Sequence, residues 1–283
     1  MSADRAEFSG TRIYVGGAKR NDRYVHVLAY QNAAKNLSDR ANAMILPFPA
    51  STPMNEENVI DTTEFKDFLE DISNASKTRP DRRRSLGADN DLLGSDSYAL
   101  VFDSGSYTVV LASNADQIGG VLERVPANKR PTFNNAFLRD FGNLYPDHQI
   151  ALCCWDGSIE AEPLLWWYEP KNPGTYFIPT MDAHDGNAPD TTAMVATDHV
   201  ISIPGVGGKP VHYRNDNIPA HVRELLPTTV HGGRPYWRMR NGDMKVTVAD
   251  IKEKYESKGG PTLIRMGTKQ PDICEVLMNG WRE

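Results

Sequence analysis

TRIYVGGAKRNDRYVHVLAYQN, residues 11–32, carries two runs rich in β-branched and aromatic side chains, TRIYVGG and DRYVHVLAYQN, on either side of the turn-like AKRND. The second run alternates, with Tyr24, His26, Leu28 and Tyr30 on one face and Val25, Val27 and Ala29 on the other. A strand places successive side chains on opposite faces, so this pattern predicts a β-hairpin rather than a helix.

Outward from the hairpin, NAMILPFP (42–49) reads as a short strand covered on both faces, which Pro47 and Pro49 end or confine to a sheet edge. DTTEFKDFLEDIS (61–73) changes period. Phe65, Phe68, Leu69 and Ile72 fall at i, i+3, i+4, i+7, with Thr62 or Thr63 placed to cap an amphipathic helix. YALVFDSGSYTVVLAS (98–113) reads as a second hairpin turning at Asp103–Ser106. Two more helices are expected, from Ser113 to Val125 on the stripe Ala115, Ile118, Leu122, Val125, and over TFNNAFLRDFGNLY (132–145). HQIALCCWD, AEPLLWWYEP and TYFIPTMDAH supply three strands, and DHVISIPG and KPVHYRND two shorter ones. A short helix in IPAHVRELLP is followed by a hairpin in RPYWRMRNGDMKVTV turning at Asn241–Gly242. A helix in TVADIKEKYESKGG capped at Thr247 and final strands in PTLIRMG and DICEVLMNGW complete the chain.

Strands and helices do not alternate in the order that builds a doubly wound parallel sheet, and hairpin signals are frequent. The expected fold class is α+β: mixed, largely antiparallel sheets built from hairpins, with several amphipathic helices packed on them. The 283 residues are expected to form a single domain. Residues 75–97, polar and basic with few apolar side chains, stand out as a long loop or linker.

Composition narrows the function classes. Apolar residues make up 40% and charged residues 24%, which suits a folded soluble chain. The first residues hold no apolar leader, and no uninterrupted apolar window of membrane-spanning length exists, so no membrane role is expected. Three cysteines, Cys153, Cys154 and Cys274, two of them adjacent, fit neither a disulfide framework nor a zinc knuckle, and point to a reducing, cytoplasmic setting. A net charge of −6 disfavours nucleic acid as a partner. The local exception is the basic cluster Lys77, Arg79, Arg82, Arg83 and Arg84 in a turn-rich loop.

The densest collection of chemistry is YFIPTMDAHDGNAPD (176–190), with three carboxylates, a histidine and an amide behind an apolar run. Asp182 and His184, two apart at a strand end, share a face, and Asp185 takes the other. Asp198 and His199 head the next strand. If the two strands pair, His184 and His199 with Asp182 approach the three-ligand arrangement of a catalytic divalent metal such as zinc, with Asp185 as a further catalytic candidate. The same residue types also build ordinary polar turns. No EF-hand, H-E-x-x-H, phosphate-loop or G-x-S-x-G pattern is present. Cys153 and Cys154 lie in an apolar strand, where burial makes a thiol inert. His231, beside Gly232–Gly233, is the one other histidine to test for proximity to His184.

LLWWYEP raises a different possibility. Trp166 and Tyr168 share one strand face and Trp167 takes the other, so a sheet covered on one side only presents at least one tryptophan to a partner. Two function classes follow. One is a non-catalytic binding or assembly protein that engages a protein partner or its own copy through Trp166, Trp167 and Tyr168. The other is a metal-assisted hydrolase centred on Asp182, His184, Asp185 and His199.

Overall fold

The computed structural model describes residues 1–75, 98–133, 135–160, 162–213, 217–233, 238–256, 262–265 and 273–275. The basic cluster Lys77–Arg84 and nearly all of the 75–97 loop lie outside the described residues.

The opening hairpin forms as expected. β1 (Ala6–Arg20) and β2 (Arg23–Asn36) pair antiparallel from Ala6↔Asn36 to Arg20↔Arg23. Asn21 and Asp22 turn the chain with φ of 52° and 59°, both left-handed. Two positive φ values match the right-handed twist of the flanking strands, and Asn and Asp tolerate them because their short side chains bond locally. The register slips between Ser9 and Arg12, a bulge that leaves Gly10 and Thr11 outside the β1–β2 ladder.

Next come β3 (Asn42–Phe48), β4 (Val59–Ile60) and α1 (Phe68–Ala75). β3 is at the edge of its sheet, as Pro47 within it requires, and it ends before Pro49. The α1 helix starts later than its periodicity suggests, because the Thr62 hydroxyl donates to the Pro163 carbonyl (2.6 Å) instead of capping a first turn. β5 (Ala99–Ser104) and β6 (Tyr107–Ala112) make the second hairpin. The helix expected over 113–125 does not form. Asn114, not Ser113, caps a single 3-10 turn, and a second 3-10 turn follows at Leu122–Arg124. Gly119–Gly120 lies between them, and two consecutive glycines cost too much backbone entropy for an α-helix to propagate.

α2 (Asn135–Leu144), β7 (Gln149–Trp155), β8 (Ser158–Glu160), β9 (Leu164–Tyr168) and β10 (Thr175–Ile178) follow, then β11 (Met194–Ala196) and β12 (Val200–Pro210). The last of these is one strand where two were expected; Val230 faces both Pro204 and Lys209 across an excursion in its register. α3 (Ala220–Arg223), β13 (Thr229–Gly233), β14 (Arg238–Arg240), β15 (Met244–Thr247), α4 (Val248–Glu256), β16 (Thr262–Arg265) and β17 (Ile273–Glu275) end the order. The hairpin expected at Asn241–Gly242 is absent: β14 pairs with β11, whereas β15 pairs with β10 and β16.

The fold is sheet-rich α+β with mixed and antiparallel sheets. Four α-helices occur among the described residues, one of them only four residues long, so the expectation of several amphipathic helices is corrected. The largest sheet runs β13-β12-β1-β2-β9-β4, with β8 also on β2, and its β1–β12 contact is parallel. The second sheet, β3-β7-β6-β5, packs on it: Leu28, Tyr30 and Trp166 from one meet Phe48, Val109 and Trp155 from the other. The outer face of the large sheet, with Val25, Val27, Ala29 and Leu165, is covered by α1 and the α3 region. The outer face of the second, with Ile45, Val110 and Leu152, is covered by α2 through Phe137 and Phe141. A helix–sheet–sheet–helix stack results, with both sheets buried on both faces. Among the described residues, no helix is long and apolar enough to cross a membrane.

Candidate functional site

Beyond Ile178 the chain leaves β10 and runs extended through Asp182 to Asp185. Two side chains after β14 hold it. Asp243 accepts from the Thr180 and Met181 amides (2.9 Å each) and from the Tyr145 hydroxyl. Asn241 clamps Asp182 in both directions, accepting from its N–H (2.8 Å) and donating to its carbonyl (2.5 Å). On the other side, the Ser2 amide donates to the Ala183 carbonyl (2.9 Å) and the Ala6 amide to the His184 carbonyl (3.1 Å). Residues 182–185 therefore form a strut between the N-terminal segment and the Asn241–Asp243 turn.

On this strut His184 Nε2 lies 2.6 Å from Asp182 Oδ1. The His184 ring also rests on Phe8, with centroids 4.6 Å apart. Burial alone would raise the Asp182 carboxyl, but the His184 bond and the facing N-terminal amine outweigh it and hold the group below the usual carboxylate range. Burial pushes His184 down, against the pull of Asp182. His199, 9% exposed at the head of β12, is pushed down to about 4 by burial, with Asp182 and Asp198 opposing. Both rings are consequently neutral near pH 7. Neither His184 Nδ1 nor His199 Nδ1, both buried, has a hydrogen-bond partner.

These groups share a cleft of about 580 Å³. One wall is the start of β1, with Phe8 and Thr11, extended by Leu37; the other is Asp182, His184 and residues 196–199. Arg5, just before β1, is bridged to Asp185, and β1 pairs with β12 from Arg12 to Tyr14; between these points the edge of β1 borders the cleft. Within that gap the Gly10 amide, freed by the bulge, donates to the Asp198 carboxylate.

Asp182, His184 and His199 thus come together, although not on paired strands. Asp185 turns away: it accepts from the Asn187 amide (3.0 Å) and side chain (2.9 Å), and Asp190 likewise accepts from Thr192. Those two are turn-forming carboxylates. Gly186, at φ +76°, stands 3.0 Å from the Ala3 carbonyl at the point where a Cβ would project, so the turn requires glycine. Asp182 and His184 spend their facing atoms on each other, and among the described residues no three His, Cys, Asp or Glu side chains are arranged to hold a metal ion. His231 packs over Gly205 of β12 and does not line the cleft.

The tryptophan-bearing strand is covered on both sides. Trp166 and Tyr168 are buried against Phe48 in the inter-sheet core. Trp167 is half-buried, donating from its indole N–H to the Glu57 carbonyl (2.8 Å), with the Arg20 guanidinium 4.6 Å over its ring. Cys153 and Cys154 are fully buried in β7, and burial pushes both thiols up, Cys154 to about 12. Sequence reasoning passed over Phe8, Leu37, Asn241 and Asp243. Asn-Gly-Asp carries a local turn signal, and nothing in it marks the segment about sixty residues upstream that it clamps.

No protein-family model and no curated protein matches this chain. Among solved structures it is similar to one described as the crystal structure of baculovirus P35, at 10% identity and a TM-score of 0.43, over 96% of this chain and 97% of that one. A likeness that shallow carries nothing about function.

Proposed function

We propose that the protein is a non-catalytic binding protein, and that the cleft between β1 and residues 182–199 receives an extended segment of a protein partner. One observation carries this reading. Between the Ala6 amide on the His184 carbonyl and the pairing at Arg12–Tyr14, the edge of β1 borders a cleft instead of a neighbouring strand, and strand edges are where extended segments dock. A volume of about 580 Å³ suits one or two side chains, and Phe8 and Leu37 offer apolar surface beside polar groups that would fix orientation. Assembly through Trp166 and Tyr168 loses its support because both are buried. Metal-assisted hydrolysis has no three-ligand group to stand on among the described residues.

The test is selection from a random peptide library on the wild-type protein, with counter-selection on Ala196→Trp, which fills the cleft from an exposed wall position. Enriched peptides should bind the wild type at least tenfold tighter than the variant and shift the amide signals of residues 7–11. Peptides indifferent to Ala196→Trp, or no enrichment, would sink the proposal.

A further inference from the structure

We infer that the group this cleft takes from its partner is cationic, a lysine-type ammonium on an apolar stem. The inference rests on the binding reading above and adds the chemistry of the anchor. Among the described residues, those lining the cleft bring three carboxylates, Glu7, Asp182 and Asp198, and no lysine or arginine. Lys35 reaches Glu7 only from the rim, at 3.9 Å with both side chains mostly exposed. The N-terminal amine faces Asp182 and Asp243, and burial lowers its own basicity.

The histidines sharpen the preference. His184 points Nε2 at an ionised Asp182, so Nε2 carries the proton and Nδ1 of the neutral ring is a bare acceptor lone pair. That atom is buried and has no donor. His199 Nδ1, on a side chain more than nine-tenths buried, is likewise without a partner. Buried polar atoms left unpaired are costly, and such groups mark places where a missing partner fits. An ammonium has three donors and no acceptor, so it can answer a carboxylate and an imidazole lone pair together, while its methylene stem lies along Phe8 and Leu37. An anionic group would meet the carboxylates, and a neutral aliphatic one would leave both ring nitrogens unanswered.

Three capped amino acids of similar size decide the matter: the Nα-acetyl methylamides of lysine, norleucine and glutamate, titrated at pH 7.5 against the full chain by proton–nitrogen NMR. The lysine probe should bind saturably at least tenfold tighter than norleucine, shifting the His184 and His199 ring signals. Binding should weaken about tenfold in Asp182→Asn and in Asp198→Asn. The second variant keeps an acceptor for the Gly10 amide at an exposed position, so it separates lost charge from lost fold. Equal binding of norleucine or glutamate, lysine affinity unchanged in both variants, or no binding by any probe would each overturn the inference. Peptide selection that enriched neutral or acidic anchors would leave the cleft a binding site and remove only its preference for cations.

Discussion

Replacing Asp243 by alanine should unlatch the candidate site and cost much of the protein's stability. The carboxylate is 3% exposed and accepts from the Thr180 and Met181 amides and the Tyr145 hydroxyl, all three on buried residues. Removing it strands three buried donors. Each unsatisfied buried group costs about 1–3 kcal/mol, so the simple sum is roughly 3–9 kcal/mol. Two effects reduce that. Water can enter the vacated space, and the variant no longer buries a carboxyl whose pKa is raised by desolvation against the opposing Tyr145 and backbone bonds. An expected loss of about 3–5 kcal/mol remains. Asp243→Asn should lose only about 1 kcal/mol, because its amide oxygen still serves both backbone N–H groups and its NH2 can donate to the tyrosine oxygen. Urea unfolding followed by tryptophan fluorescence measures the totals, and hydrogen exchange at residues 180–182 reports the local release. An alanine variant within 1 kcal/mol of wild type, or asparagine as damaging as alanine, would refute the assignment of Asp243 as the anchor of the strut.

Three further outcomes are expected. His26 and His199 are both pushed to about 4 by burial, below the ordinary value of about 6.5, so the unfolded chain binds protons that the native rings refuse. Their contribution to stability is therefore complete above pH 6.5 and is lost as pH falls toward 4, by roughly 2–3 kcal/mol per ring at pH 4.5; a His199→Gln variant with the wild-type slope between pH 7 and 4.5 would contradict this. Gly205→Ala would set a Cβ 1.9 Å from the His231 ring and should cost about 1–3 kcal/mol in urea unfolding, an effect that a neutral result would dismiss. Cys153 and Cys154 should resist a thiol reagent until the chain unfolds, so native labelling of more than one of the three cysteines would count against their burial in β7.

Where a pattern is local, the sequence was readable. The β1–β2 hairpin follows from alternation, and its two faces, Leu28 and Tyr30 against Val25, Val27 and Ala29, go to different cores as the period of two requires. The same period separates Trp166 from Trp167, but it cannot say what covers each side; that depends on α1 and the second sheet, which arrive from elsewhere in the chain. Residues 113–125 differ for the opposite reason: the apolar stripe has helical period, but Gly119–Gly120, an equally local signal, outweighs it and leaves two 3-10 turns. At the site, residue type singled out Asp182, His184 and His199, and the cleft contains all three. Phe8 and Leu37 carry no motif, and the turn signal at Asn241–Asp243 does not point to the segment those residues hold. Their place is set by the strut, the bulge and the different sheets to which β14 and β15 go, none of which leaves a short-range trace.

The parallel contact between β1 and β12 has a consequence for how the chain is made. Arg12 pairs with Val200, a separation of 188 residues, the same as that between Gly10 and Asp198. At roughly 5–20 residues per second, the ribosome needs about ten to forty seconds to supply the second strand after the first. Throughout that interval the edge of β1 that β12 will take is bare, and the β2 edge is bare too until β8 and β9 follow, the condition under which strands pair with the wrong chain. Closing so long a loop comes late in any folding sequence, and the cleft, with walls from both ends of that loop, can be complete only once it has closed.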